Sequence, residues 1–410
     1  MFFALKGDSF NGNDFALEAI DKGSVAAVVD EHRDEFIGNP RIFIVPNALQ
    51  ALQQLATHHR LQLKIPIIAL TGSNGKTTTK ELMKAALSTQ YKTFATEGNL
   101  NNHIGVPLSL LQINADHEIA VIEMGANHQN EIAALCQIAL PDYGLITNIG
   151  LAHLEGFGGE QGVFKGKKEL FDFIAEVNKT AFVNVSDEKV KRAATGLSSI
   201  VTYGFEDDAD FTCSIASSLP YLNVRWKQKG ENEEYTAKTR LTGDYNTLNV
   251  LAAIAVARFF GVAADKINAA IEGYRPQNQR SEIIKTERGN VLIVDCYNAN
   301  PTSMNAALDN LQSIGSNKTA VVLGDMLELG AESEQYHQKI VQRLKQIKPA
   351  LCVLIGPEFG KTQAEGNSAQ YFVSTAEAKE WINLQPELSG YTVLLKGSRR
   401  LKLEELATCF

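Results

Sequence analysis

Ile67-Ile68-Ala69-Leu70-Thr71-Gly72-Ser73-Asn74-Gly75-Lys76-Thr77-Thr78 is the stretch on which the fold turns. The apolar run behind Pro66 predicts a buried parallel strand. It breaks into a glycine turn, and the turn opens a helix continuing from Lys80 to Leu87. Strand, glycine loop and helix in that order hold nucleotide phosphates. Backbone N–H groups at the helix start point at the anion, and the helix dipole adds favourable potential. Gly72, Ser73, Asn74, Gly75, Lys76, Thr77 and Thr78 are therefore candidate phosphate-binding residues. Lys76 supplies a point charge for the β- and γ-phosphates, and the Thr77 hydroxyl is a ligand for Mg²⁺. The generic loop has a glycine where Leu70 stands. A surface lysine on a glycine-rich turn is the plainer alternative, but Gly-Lys-Thr-Thr directly after an apolar strand disfavours it.

A chain of 410 residues suggests two or three domains. With 44% hydrophobic and 21% charged residues it reads as globular. A net charge of −8 argues against a nucleic-acid or membrane footprint. No apolar run is long enough to cross a bilayer, and the start at Met1-Phe2-Phe3 has no signal-peptide pattern. Cys136, Cys213, Cys296, Cys352 and Cys409 are scattered, without metal-type or redox-type spacing. The expectation is a cytoplasmic monomer with reduced thiols.

Short strands at Val25 to Val29 and Ile42 to Val45, with a helix ending near His59, suggest a small α/β domain over residues 1–60. From there strands and helices alternate, as in βαβ units of a mostly parallel sheet. Ile119 to Glu123 and Tyr143 to Ile149 are two such strands. Between 205 and 241 short alternating segments, such as Tyr221 to Trp226, suggest an antiparallel patch. A helix from Asn246 to Phe260 follows, stopped by Gly261. The polar Arg275-Pro276-Gln277-Asn278-Gln279 reads as a hinge. It separates a central unit, 61–278, from a last α/β unit, 279–410, with strands at Val291 to Asp295, Thr319 to Leu323, Leu351 to Ile355 and Tyr391 to Leu395.

Ligands gather at the carboxyl ends of strands in such sheets. Glu123 ends a strand expected beside the phosphate-loop strand, where a carboxylate can bind Mg²⁺ or simply cap a helix. His153 precedes the turn Glu155-Gly156-Phe157-Gly158-Gly159 and the cluster Lys165-Gly166-Lys167-Lys168. One of these lysines points at the phosphates, unless the cluster is a solvated helix face. Asn246 and Asn249 share a helix face; they hydrogen-bond a base and its sugar, or Asn246 is only an N-cap. Asp295-Cys296-Tyr297-Asn298-Ala299-Asn300-Pro301 offers a strand-end carboxylate and amides, and Arg280 lies just past the hinge. Such loops are also simply rich in Asp and Asn.

Taken together these motifs resemble the Mur ligases, the ATP-dependent amide-forming enzymes of peptidoglycan assembly, over nearly the whole chain. The resemblance rests further on Phe3-Ala4-Leu5-Lys6-Gly7, Asn99 to Pro107, Ala152 to Gly158, Leu323 to Gly330 and Lys396-Gly397-Ser398-Arg399. The Leu70 variant of the loop is the one this family uses. The resemblance implies three domains: an N-terminal α/β domain for the UDP-sugar, a central phosphate-loop ATPase domain, and a Rossmann-like C-terminal domain for the incoming dipeptide. It implies an ATP-dependent ligase joining D-alanyl-D-alanine to UDP-N-acetylmuramoyl-tripeptide, with ATP and Mg²⁺. Carried over by position, Lys76 and Thr77 hold phosphates and metal, and Glu123 and His153 match magnesium-site residues. Lys167 matches a lysine that becomes carbamylated. Asn246, Asn249, Arg280 and Asp295 match nucleotide contacts, and Asn101 and Asn102 lie where the muramoyl substrate is handled.

Family members carry a further helix and strand ahead of the Phe2-Phe3-Ala4-Leu5-Lys6-Gly7 segment, so the native protein is expected to begin upstream of Met1. Related ligases, including folylpolyglutamate synthase, share the ATP site; the Asp-Asn-Pro-Arg motif of the tripeptide-forming enzyme is absent. A phosphate-loop kinase would not need the last α/β domain. A non-catalytic homologue would not need Lys76, Glu123, His153 and Lys167 together.

Overall fold

The computed structural model describes residues 1–276, 280–316, 318–363, 369–385 and 388–410. Three principal sheets define a multi-domain α/β chain. The central sheet has nine strands. In order across it these are Glu234–Lys238, Asn223–Gln228, Phe211–Ser217, Ser199–Gly204, Thr180–Asn184, Tyr143–Ile146, Ile67–Thr71, Ile119–Glu123 and Thr93–Ala95. Pairing is parallel from Thr93–Ala95 through to Phe211–Ser217, and the last two strands add antiparallel. The antiparallel patch expected after residue 205 is thus an extension of the same sheet.

The phosphate-loop strand lies inside the sheet, third from the Thr93–Ala95 edge, with all five residues buried. Its side chains alternate between two cores, as strand geometry requires. Ile67 and Ala69 pack in the cluster holding Ile122, Leu135 and Phe171. Ile68 and Leu70 pack in the one holding Leu82, Met83, Leu145 and Ile254. An Ile or Leu so buried contributes about 1.5–3 kcal/mol, which explains an unbroken apolar run here. Register places Leu70 beside Glu123 and Thr71 beside Ile146, so three strand ends meet at one edge.

The last sheet runs Glu282–Lys285, Val291–Asp295, Thr392–Lys396, Thr319–Gly324, Leu351–Ile355, Gln370–Phe372. It is parallel except for Glu282–Lys285. That edge strand and Gln370–Phe372 were not expected from the sequence; both are short and half polar, with little periodic signal. The N-terminal sheet pairs Phe2–Phe3, Ala27–Val29 and Ile42–Ile44, all parallel.

Several boundaries shift. The first-domain strand begins at Ala27, because Val25 is exposed. The strand expected to reach Ile149 stops at Ile146, where the chain turns to serve the phosphate loop. The helix expected from Asn246 is a 3₁₀ turn, Asp244–Asn246, followed by an α-helix, Thr247–Phe259. Gly261 stops it with φ of 81°. The hinge expected at Arg275 to Gln279 falls in part on residues 277–279, outside the described residues.

Candidate active site

A cavity of about 1250 Å³ lies over the carboxyl ends of the central strands, walled on its far side by the last domain. Gly72 and Gly75 take φ of 149° and 79°, backbone that a side chain would strain. A Cβ on Gly72 would come within 2.0 Å of Thr147 Oγ1, and one on Gly75 within 2.4 Å of Asn249 Oδ1. The loop is pinned from beside it. Asn74 N donates to Asn148 Oδ1 at 3.0 Å, and Asn74 O accepts from Thr147 Oγ1 at 2.7 Å and Asn148 Nδ2 at 2.9 Å. Ser73 Oγ donates to Gly150 O at 3.0 Å.

Lys76 is half-buried in this cavity rather than solvent-facing; its Nζ curls back to Gly72 O at 2.6 Å. Burial pushes its amine below the ordinary lysine range, Glu123 opposes this, and the Arg280 charge adds to it. Thr77 Oγ1 donates to Glu123 Oε2 at 2.9 Å, and Asn101 Nδ2 donates to Glu123 Oε1 at 2.8 Å. Glu123 is only 1% exposed. Behind it, Lys80 Nζ approaches to 3.9 Å from Lys80's fully buried position. Thr78 lines the cavity with the rest of the loop.

Asn246 stands at the N-cap position of the helix, but its side chain makes no capping bond there. Asn246 Nδ2 donates to Thr242 O at 2.8 Å, Asn249 Nδ2 to Asn246 Oδ1 at 2.9 Å, and Thr79 Oγ1 to Asn249 Oδ1 at 3.2 Å. This buried amide chain ties the second helix to the phosphate-loop helix. Asn102 exposes its side chain, which turns the chain into the helix Gly105–Leu111 by accepting from Ile104 N and Gly105 N at 3.1 and 2.9 Å.

His153 sits in left-handed backbone, φ 53°, at the cavity wall, its Nδ1 against Glu328 of the last domain. That contact holds the Glu328 carboxyl below the usual carboxylate range. Lys167 is not part of the cavity lining. It is 1% exposed, with Nζ 3.4 Å from Ala126 O and 5.2 Å from the Phe157 ring centroid. Burial drives its amine well below the ordinary lysine range, and Lys76 pushes the same way. Lys165 is exposed and Lys168 pairs with Asp172, so neither faces the phosphates.

From the last domain, the Arg280 guanidinium lies 3.7 Å from the Tyr297 ring centroid and its Nε is buried without a partner among the described residues. Asp295 Oδ2 pairs with buried Lys396 Nζ at 2.6 Å. Tyr297, Lys396, Asn148, Thr147, Asn300 and Glu328 were not singled out by sequence reasoning, although Tyr297 and Asn300 stand in a quoted strand-end loop, and Glu328 and Lys396 in motifs that carry the resemblance. Their signal is spatial. Among the described residues no group of three or more His, Cys, Asp or Glu is placed to hold a metal by itself.

A mostly parallel sheet carrying a phosphate loop, with a second α/β domain over the cavity, defines a multi-domain nucleotide-binding enzyme class. The Mur ligase middle domain matches residues 70–257, and the Mur ligase glutamate ligase domain matches residues 279–399. The chain belongs to the Mur ligase family. It is 34% identical to the UDP-N-acetylmuramoyl-tripeptide–D-alanyl-D-alanine ligase of Bacillus subtilis, over 99% of this chain and 89% of that protein. The crystal structure of MurF from Acinetobacter baumannii superimposes with a TM-score of 0.89 at 33% identity, covering 99% of this chain and 89% of that one. MurF of Thermotoga maritima in complex with ADP gives 0.87 at 26% identity, covering 99% and 93%.

Proposed function

We propose that this chain joins D-alanyl-D-alanine to UDP-N-acetylmuramoyl-tripeptide at the expense of ATP, producing the UDP-muramoyl-pentapeptide precursor. The observation that carries this reading is one cavity lined together by the phosphate loop, the Asn101–Glu123 pair and the last domain. Its volume, about 1250 Å³, exceeds the roughly 300–1,000 Å³ of an ordinary single-ligand site.

The residues fit the implied ligands. Asn74 Nδ2 and Arg280 Nε are buried donors without partners among the described residues, at a cavity lined by both side chains, as a phosphate-binding wall would leave them. Thr77 and Glu123 offer paired oxygens, the donor type that Mg²⁺ takes alongside phosphate oxygens. Bound there, Mg²⁺ would neutralise phosphate charge. His153 is assigned to the same magnesium site.

A carboxylate oxygen is a poor leaving group, so the tripeptide must first be activated. Its terminal carboxylate attacks the γ-phosphorus of ATP, the bond to the β-phosphate oxygen breaks, and an acyl phosphate forms. The amine of D-alanyl-D-alanine then attacks the acyl carbon. Phosphate leaves, and the amine gives up its proton. Lys76 neutralises charge on the transferred group, and nearby phosphate restores the charged amine that burial disfavours. Arg280 adds charge from the opposite wall. Asn246 and Asn249 fix the helix that carries Thr79, and Asp295 holds Lys396 at the cavity floor. Asn101 and Asn102 border the muramoyl side, with residues 1–60 binding the UDP-sugar, 61–278 ATP and 279–410 the dipeptide. The last domain excludes water that would hydrolyse the acyl phosphate.

Lys167 is proposed to carry a carbamate. A neutral amine adds to carbon dioxide and sheds a proton, and burial favours the neutral amine. The product carboxylate would reverse an unfavourable positive charge near Lys76. Five buried free cysteines support a cytoplasmic location, where a monomer acts on soluble nucleotide substrates.

The test is phosphate release from ATP with UDP-muramoyl-tripeptide, with and without D-alanyl-D-alanine. Release that requires both substrates, with pentapeptide formed, is expected. Release indifferent to the dipeptide would overturn the reading.

A further inference from the structure

We infer that Asn300 is a positioning residue that converts closure of the last domain into a fixed orientation of the Asn74 amide in the phosphate loop. The inference rests on reading the cavity as a phosphoryl-transfer site.

Asn300 begins the helix Pro301–Ser313 with a capping box: its Oδ1 accepts from Ser303 N at 2.8 Å, and Asn300 N donates to Ser303 Oγ at 3.1 Å. The cap commits Oδ1 to the helix, so the other branch of the amide must be the donor. That branch, Nδ2, reaches Asn74 Oδ1 at 2.8 Å across 226 residues of sequence. Asn74 is thereby obliged to present its carbonyl oxygen to Asn300. Its main chain is already held at both N and O by Thr147 and Asn148, so the side-chain amide is the part left to orient. What remains is Asn74 Nδ2, buried without a partner among the described residues, in a residue that lines the cavity.

The physical consequence is one of sign. With Asn300 docked, the branch of the Asn74 amide that Asn300 leaves free is an N–H donor, attractive to phosphate oxygens brought against it. Released, the amide is free to turn its carbonyl oxygen inward, which repels them. Thr302, two residues on in the same helix, docks beside it. Its Oγ1 accepts from Leu151 N at 3.1 Å, and a Cβ on Gly150 would come within 2.9 Å of that oxygen. The helix start is therefore seated against the loop that braces the phosphate loop, and Asn300 arrives in place only when the domain does.

Asn300→Ser and Asn300→Asp separate this role from capping, since Ser and Asp are both good N-caps. Ser is too short to reach Asn74. Asp reaches it, but offers an acceptor and so favours the turned amide. The readouts are kcat for phosphate release and the ratio of calorimetric affinities for Mg²⁺–AMPPNP over Mg²⁺–ADP, which isolates the γ-phosphate. The expected order is parent, then Asn300→Ser, then Asn300→Asp, with the affinity ratio down about tenfold in the last and ADP affinity changed little. Asn74→Ala leaves the cap intact and is expected to lower the same ratio. In its background Asn300→Ser adds nothing further. Equal ratios in Asn300→Ser and Asn300→Asp, or a parental ratio in Asn74→Ala, would overturn the inference whether or not the Asn300 variants fold. An inactive parent with the expected affinity order would instead count against the ligase reading alone.

Discussion

Thr77 Oγ1 donates to Glu123 Oε2 at 2.9 Å, joining a helix-start hydroxyl to a strand-end carboxylate 46 residues away. The register of two adjacent parallel strands, Leu70 opposite Glu123, makes this contact possible. One slip along the strand would turn the carboxylate to the other face of the sheet. The proposed chemistry depends on this edge, and the predictions follow from the residues around it.

Lys76→Ala is expected to lower ATP-dependent phosphate release by about 10²–10³-fold or more, the scale of losing one preorganised charge-stabilising group. Lys76 Nζ contacts loop carbonyls and not the core, so the variant should still unfold cooperatively, no less stable than the parent. Full activity in the folded variant would refute the phosphate-loop assignment.

Lys167→Ala is expected to lose activity and regain part of it with added short carboxylic acids, which replace the carbamate. Uncarbamylated, Lys167 also carries a sign in pH. Its folded amine lies well below 10.5, so protonating it costs the folded state more than the unfolded one. That penalty is fully present below the depressed folded value and disappears as pH rises through 10.5. Lys167→Met should therefore melt above the carbon-dioxide-depleted parent at pH 7, with the gap closing toward pH 10.5. A constant gap would show that charge burial is not its origin.

Gly75→Ala meets two obstacles: a φ of 79°, and Asn249 Oδ1 within 2.4 Å of the new Cβ. Left-handed backbone costs an L-residue about 1–2 kcal/mol. Nucleotide affinity should fall more than about tenfold. Adding Asn249→Ala should restore only the steric part, because the backbone conformation is unchanged. Calorimetric titration with ADP checks both variants.

Lys396→Met removes the partner of Asp295 beneath the cavity. Stranding one member of a buried ion pair costs about 3–5 kcal/mol; Asp295 retains some solvent access, which places the loss at the lower end. Denaturant unfolding measures it. The double variant Asp295→Asn/Lys396→Met should recover much of the loss, and failure to do so would mean that Lys396 acts through packing alone.

The phosphate loop, the parallel sheet around it and the family were legible in contiguous residues. Glycines at positive φ, an apolar strand and a helix start are local requirements, satisfied within a dozen positions of chain. Glu123 was legible as a strand end, and its contact with Thr77 followed once the two strands were neighbours. Asn246 was open between a cap and a ligand contact; it occupies the N-cap position without a side-chain capping bond, because Thr242 and Asn249 take both ends of its amide. Spacing left Lys165, Lys167 and Lys168 indistinguishable and only the resemblance singled out Lys167; its burial comes from packing against Phe157 and Ala126.

By itself, then, the amino-acid sequence determined the kind of sheet and the phosphate loop, which periodicity and short-range backbone geometry specify, and the family, which the resemblance of its short motifs carries. Tertiary structure decided which amide meets which. Asn74 and Asn300 lie on different domains, and no local pattern encodes a hydrogen bond that exists only when two separately folded sheets come together.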